Sequence, residues 1–85
     1  MKSFTYTITD SLGIHARPAG QIVNLAKQHS STIIIDGGAK QANATKLMAV
    51  MALGIKCGQS VTVTAEGDDE ESAIAAMQGL FEQNL

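Results

Sequence analysis

The spacing of apolar residues switches repeatedly between two and about 3.6 residues, and this alternation restricts the fold more than any other feature of the chain. Phe4, Tyr6 and Ile8 alternate with Ser3, Thr5, Thr7 and Thr9, the pattern of a strand with one buried face. From Ala16 to about Gln28, the residues Ala19, Ile22, Val23 and Ala26 recur at helical spacing, with Gln21, Asn24, Lys27 and Gln28 facing outward. Thr32-Ile33-Ile34-Ile35 is a β-branched strand. Asp36-Gly37-Gly38 then reads as a hairpin turn, and Lys40-Gln41-Ala42-Asn43 as a returning strand polar enough to form a sheet edge. Ala44 to Leu53 predicts a short helix, capped by Thr45 or Asn43 and stopped at Gly54. After the turn Lys56-Cys57-Gly58-Gln59, Ser60 to Glu66 alternates cleanly as the last strand. Gly67-Asp68-Asp69-Glu70-Glu71 puts carboxylates at a helix start, where the macrodipole favours them and where capping accounts for them better than metal binding. Ala73, Ile74, Met77, Leu80 and Phe81 give that last helix its apolar stripe. The order strand, helix, strand, strand, helix, strand, helix predicts an α+β fold, a half-buried antiparallel sheet covered by helices on one side.

Eighty-five residues with 45% hydrophobic and 16% charged content suit one small folded domain spanning 1–85. A net charge of −2, with no basic run, speaks against nucleic acid and anionic membranes as partners. No apolar leader or long apolar span is evident, so a cytoplasmic protein is expected. Cys57 is the single cysteine, which leaves no internal disulfide and no cysteine pair for a metal. His15 and His29 stand at opposite ends of the first helix, about 20 Å apart at ~1.5 Å per residue, too far to share a metal ion. No metal and no cofactor are expected.

The stretch Gly13-Ile14-His15-Ala16-Arg17-Pro18-Ala19-Gly20 carries the chemistry. Pro18 is tolerated in a first helical turn, so the helix begins near Ala16 and His15 falls close to its N-cap. A helix N-terminus bears partial positive charge and free N–H groups, a natural seat for phosphate. An uncharged imidazole is a nucleophile. Attack on phosphorus would carry the anionic oxygens into that helix end, where Arg17 can add charge-assisted hydrogen bonds. Asp10 and Ser11, in the preceding turn, are within reach of a phosphate or of the histidine ring. On the short helix, Leu47, Met48, Val50, Met51 and Leu53 point nearly all round, so part of this apolar surface should be exposed for partner contact.

The octet from Gly13 to Gly20 resembles the active-site signature of HPr, the histidine-containing phosphocarrier family of the bacterial phosphoenolpyruvate–sugar phosphotransferase system. The match runs through Ala19; Gly20 departs from it, because a small residue with a side chain is more usual there. Length and order of elements are similar to HPr along essentially all of the chain. The resemblance implies an open-faced β-sandwich with four strands and three helices. It also implies a carrier rather than an enzyme: His15 would accept a phosphoryl group on Nδ1 from Enzyme I and pass it to EIIA domains of sugar permeases, with Arg17 stabilising the phosphate. The loop and the short helix form the family's docking surface. On that basis Leu47, Met48 and Met51 are carried over as partner contacts, with Lys27 and Gly20 counted in the same set. A monomer is expected.

Lys46 stands where many family members carry a regulatory serine. It cannot accept phosphate there, and the role does not pass to Thr45, since one residue turns a helical side chain by about 100°. Two alternatives share the fold: a carrier of a nitrogen-regulatory branch, and a regulatory binding domain without phosphoryl chemistry.

Overall fold

A computed structural model describes all 85 residues. Strand β1 (Lys2–Thr7) leads through a loop into helix α1 (Ala16–Lys27), followed by β2 (Thr32–Asp36), β3 (Gln41–Asn43), α2 (Leu47–Ala52), β4 (Ser60–Glu66) and α3 (Glu70–Asn84). The four strands form one antiparallel sheet in the order β1-β4-β2-β3. The short, polar β3 is an edge strand, as its composition predicts.

The register explains the alternation. Phe4, Val63, Ile35 and Ala42 lie in one row across all four strands, with Tyr6 beside Val61 and Ile33 beside Ala65 in the rows around it. These residues turn to one face, where α1 and α3 cover them. The opposite face is open and hydroxyl-rich. There Thr5 and Thr62 share a 3.3 Å hydrogen bond, and Thr7 and Ser60 one of 2.9 Å. A period of two thus divides each strand into a core edge and a solvent edge.

The core holds 19 buried apolar residues. Phe81 of α3 sits at its centre, with the rings of Phe4 and Tyr6 edge-on at 5.6 and 5.8 Å. From α1, Ala19, Ile22, Val23 and Ala26 are buried, the four residues its periodicity selects. α2 packs on α1 and on β3, and buries only Val50 fully.

Two details depart from the sequence reading. The short helix begins at Leu47 rather than Ala44, and neither Thr45 nor Asn43 caps it. Ala44 N–H donates to Ile33 O and prolongs the strand pairing, while Asn43 Oδ1 accepts from Thr45 N–H (2.9 Å) and Thr45 Oγ1 (2.6 Å) in a tight turn. Residues 44–46 are therefore spent on leaving the sheet, and Lys46 becomes an N-cap with no side-chain hydrogen bond. At α3, Asp69 holds the N-cap position, but its carboxylate turns away from its own helix. It accepts hydrogen bonds from Ser30 N–H (3.0 Å), Ser31 N–H (2.9 Å) and the Ser31 hydroxyl. A local dipole argument cannot foresee a partner some forty residues away in sequence. Glu70 and Glu71 do occupy the first turn of α3, where the dipole favours them.

Candidate functional site

The segment between β1 and α1 is held from three sides. Thr9 N–H, Thr9 Oγ1 and Asp10 N–H all donate to Leu85 O at the end of α3. Ile14 N–H donates to Ile55 O, just past the exit of α2, at 3.1 Å. Gly58 N–H donates to Ile8 O from the turn before β4, at 2.8 Å. Inside the loop, Asp10 Oδ1 accepts from Leu12 N–H at 2.8 Å, an Asx turn. Gly13 has a φ of +69°, and a Cβ there would lie 2.2 Å from Ile55 O. Only glycine lets the chain pass this close to residue 55 before turning into the helix.

The histidine emerges from this frame as the N-cap of α1, with extended backbone and no capping hydrogen bond from its side chain. The N–H groups of Ala16 and Arg17 have no partner in the chain, Pro18 has no N–H, and the first helical bond runs from Ala19 N–H to His15 O at 3.0 Å. Two free donors therefore sit at the positive end of a twelve-residue helix. The Arg17 side chain is exposed and makes no ion pair or hydrogen bond, so its guanidinium is free for an incoming anion. The His15 ring is 34% exposed, and its Nε2 faces Asp10 Oδ2 at 3.9 Å. That contact exceeds hydrogen-bond length and joins two partly exposed groups, so it contributes roughly 0–1 kcal/mol to stability and matters for orientation instead.

Around the loop the surface is apolar. Leu47 is 41% exposed, Met48 77%, Met51 40%, and Leu12 70%. Because Ile14 is bonded to Ile55, two residues beyond Leu53, the histidine loop and α2 share one end of the molecule. Leu12 is missing from the site residues read from the sequence, and Asp10 enters there only as a turn residue within reach of the ring. Leu12 is hidden in a stretch that reads as a turn, although a large apolar residue in a solvated turn is a signal of its own. Gly20 is half-buried on α1, and a Cβ added there would meet nothing within 4 Å. Lys27 is exposed on the last turn of α1, about 18 Å along the axis from His15 at ~1.5 Å per residue, so it is not gathered with the ring. His29 Nδ1 bonds Leu25 O at 3.2 Å, a local helix-end contact remote from His15. No group of three histidine, cysteine or carboxylate side chains is placed to hold a metal ion. A groove of about 380 Å³ between α1 and α3 does not include His15, whose side chain is 34% exposed.

Comparison with known proteins gives the family. A family model described as the PTS HPr component phosphorylation site matches residues 2–83. The chain belongs to the HPr family. The phosphocarrier protein HPr of Mycoplasma capricolum is 42% identical over 78 residues, covering 92% of this chain and 88% of that one. That of Lysinibacillus sphaericus is 41% identical over 81 residues, covering 95% and 92%. The crystal structure of an HPr from Thermoanaerobacter tengcongensis superimposes with a TM-score of 0.92 at 43% identity, covering 98% of this chain and 93% of the other. A second HPr structure from that organism, with a TM-score of 0.77 and the same 43% identity, is a dimer.

Proposed function

We propose that this HPr-family chain is a phosphocarrier of the phosphoenolpyruvate-dependent sugar phosphotransferase system, with His15 as the phosphoryl acceptor. The observation that carries this reading is the placement of a half-exposed imidazole at a helix start with two unpaired N–H donors and an unpaired arginine. Nδ1 attacks the phosphorus of phospho-Enzyme I as the donor's phosphorus–nitrogen bond breaks. The phosphoryl oxygens are then met by the Ala16 and Arg17 N–H groups and by the Arg17 guanidinium. Positioning and electrostatics suffice, because phosphoryl transfer asks little covalent help from the protein. The return step hands the group to an EIIA domain of a sugar permease.

On this reading the chain acts as a substrate of its partners rather than as an enzyme. Leu47, Met48 and Met51 form the docking patch beside the ring. Flexible methionines suit a patch that must fit more than one partner. Gly20 lies on the same helix as the ring, and Lys27 is a peripheral contact. The site is complete within one chain, so a monomer is the working unit. No helix is long and apolar enough to cross a membrane, in keeping with a cytoplasmic carrier that visits permeases. Lys46, the residue before α2, has no hydroxyl and offers no acceptor for serine-linked phosphorylation at that position.

Incubation with purified Enzyme I, phosphoenolpyruvate and Mg²⁺ tests the reading. The wild-type chain should gain an acid-labile adduct of roughly 80 Da, one phosphoryl group, and His15→Ala should gain none. An active Enzyme I from the same cell that leaves the wild type unmodified would overturn the proposal.

A further inference from the structure

The geometry points to Asp10 as a positioning residue that keeps the His15 proton on Nε2, leaving Nδ1 as the phosphoryl acceptor. This rests on the phosphocarrier reading above. The two Asp10 oxygens have separate tasks. Oδ1 is engaged with Leu12 N–H at 2.8 Å, which fixes the carboxylate in the loop. Oδ2 is thereby aimed at His15 Nε2, 3.9 Å away. The loop that carries Asp10 is itself tied to α3 by the Thr9 and Asp10 N–H groups on Leu85 O.

This arrangement removes any need for a proton to move during transfer. With the proton on Nε2, the Nδ1 lone pair forms the new bond to phosphorus while the donor's phosphorus–nitrogen bond breaks and its electron pair returns to the donor. The His15 ring becomes a cation, and the carboxylate already faces the nitrogen that keeps the proton. A positive ring is also the better leaving group when the phosphoryl moves on. The other ionisable groups on the elements around the loop are Lys2 and Tyr6 on β1, Arg17 and Lys27 on α1, Lys46 before α2, Lys56 and Cys57 in the turn before β4, Glu66 at the end of β4, and Glu70, Glu71 and Glu82 on α3. None of them pairs with His15, and Cys57 Sγ points to Thr9 O. Asp10 is the one carboxylate in contact.

The test uses Asp10→Asn, whose side-chain oxygen still accepts from Leu12 N–H, so the turn is kept while the charged acceptor facing Nε2 becomes an amide N–H donor. Asp10→Ser, which offers a hydroxyl to the same N–H, serves as the second variant. In each unphosphorylated protein the share of the His15 ring that carries its proton on Nε2 is read from the 15N chemical shifts of the two ring nitrogens. That share should fall in both variants, and phosphoryl transfer from Enzyme I should slow with it. A tautomer ratio unchanged in either folded variant would overturn the assignment while leaving the carrier function intact. Failure of the wild type itself to be phosphorylated would remove both.

Discussion

Gly13 and Gly20 show how differently one residue type can matter within a single octet. Gly13 has positive φ, and an added Cβ would run into the Ile55 carbonyl. Gly13→Ala should cost at least about 1–3 kcal/mol for the backbone alone, with the steric contact adding to it. The histidine loop should be the region disturbed. Gly20 has ordinary helical backbone and open space at its Cβ position. Gly20→Ala should stabilise the protein by about 0.5–1 kcal/mol through helix propensity. Urea unfolding of the two variants beside wild type checks both signs. His15 and Arg17 were legible as candidate site residues because the features that single them out are local: an imidazole and a cation within one turn of a helix start. Asp10 was legible only as one of two turn residues, with Ser11, within reach of the ring; that Asp10 faces it depends on side-chain direction, and its two oxygens serve both the turn and the ring.

At the scale of elements, the joint between the start of α3 and the entry to β2 is electrostatic. Hydrogen bonds from the Ser31 side chain and then the Ser30 backbone lower the Asp69 carboxyl to about 2, below its ordinary range. A depressed carboxyl contributes stability that is present above its unfolded value and is lost as pH falls toward the folded one. Wild-type thermal stability should therefore decline as pH falls from the ordinary aspartate value of 3.8 to about 2. Asp69→Asn should melt several degrees lower at neutral pH and lose that part of the acid dependence. A pH series of melting curves on the two proteins reads both effects. α2 makes a related point. Six residues are too few for a helix to stand alone, so Val50 and the contacts to α1 and β3 must hold it. Its outward residues Met48 and Met51 are free of that duty.

For the whole molecule, Phe81 joins the last helix to the first strand through Phe4 and Tyr6. Phe81→Ala removes a fully buried ring and should cost about 3–5 kcal/mol, a large share of the roughly 5–15 kcal/mol available to a small domain. Denaturant unfolding monitored by far-UV circular dichroism measures the loss. Below the unfolding midpoint His15 should still be phosphorylated, since the ring lies outside this cluster. The period of two in Phe4-Thr5-Tyr6 and Val61-Thr62-Val63, and the 3.6-residue stripe through Ala19, Ile22, Val23 and Ala26, express which side of each element faces the core. That side is a property of neighbouring residues, so the elements, the α+β class and the helix-start histidine could all be read along the chain. Strand order, the late start of α2, the turn of Asp69 toward Ser31 and the meeting of Asp10 with His15 depend on residues far apart or on side-chain direction. Each pits a local preference against a tertiary contact. At Ala44 and at Asp69 the contact prevails because a hydrogen bond to the strand or to a charged carboxylate outweighs a propensity of a few tenths of a kcal/mol.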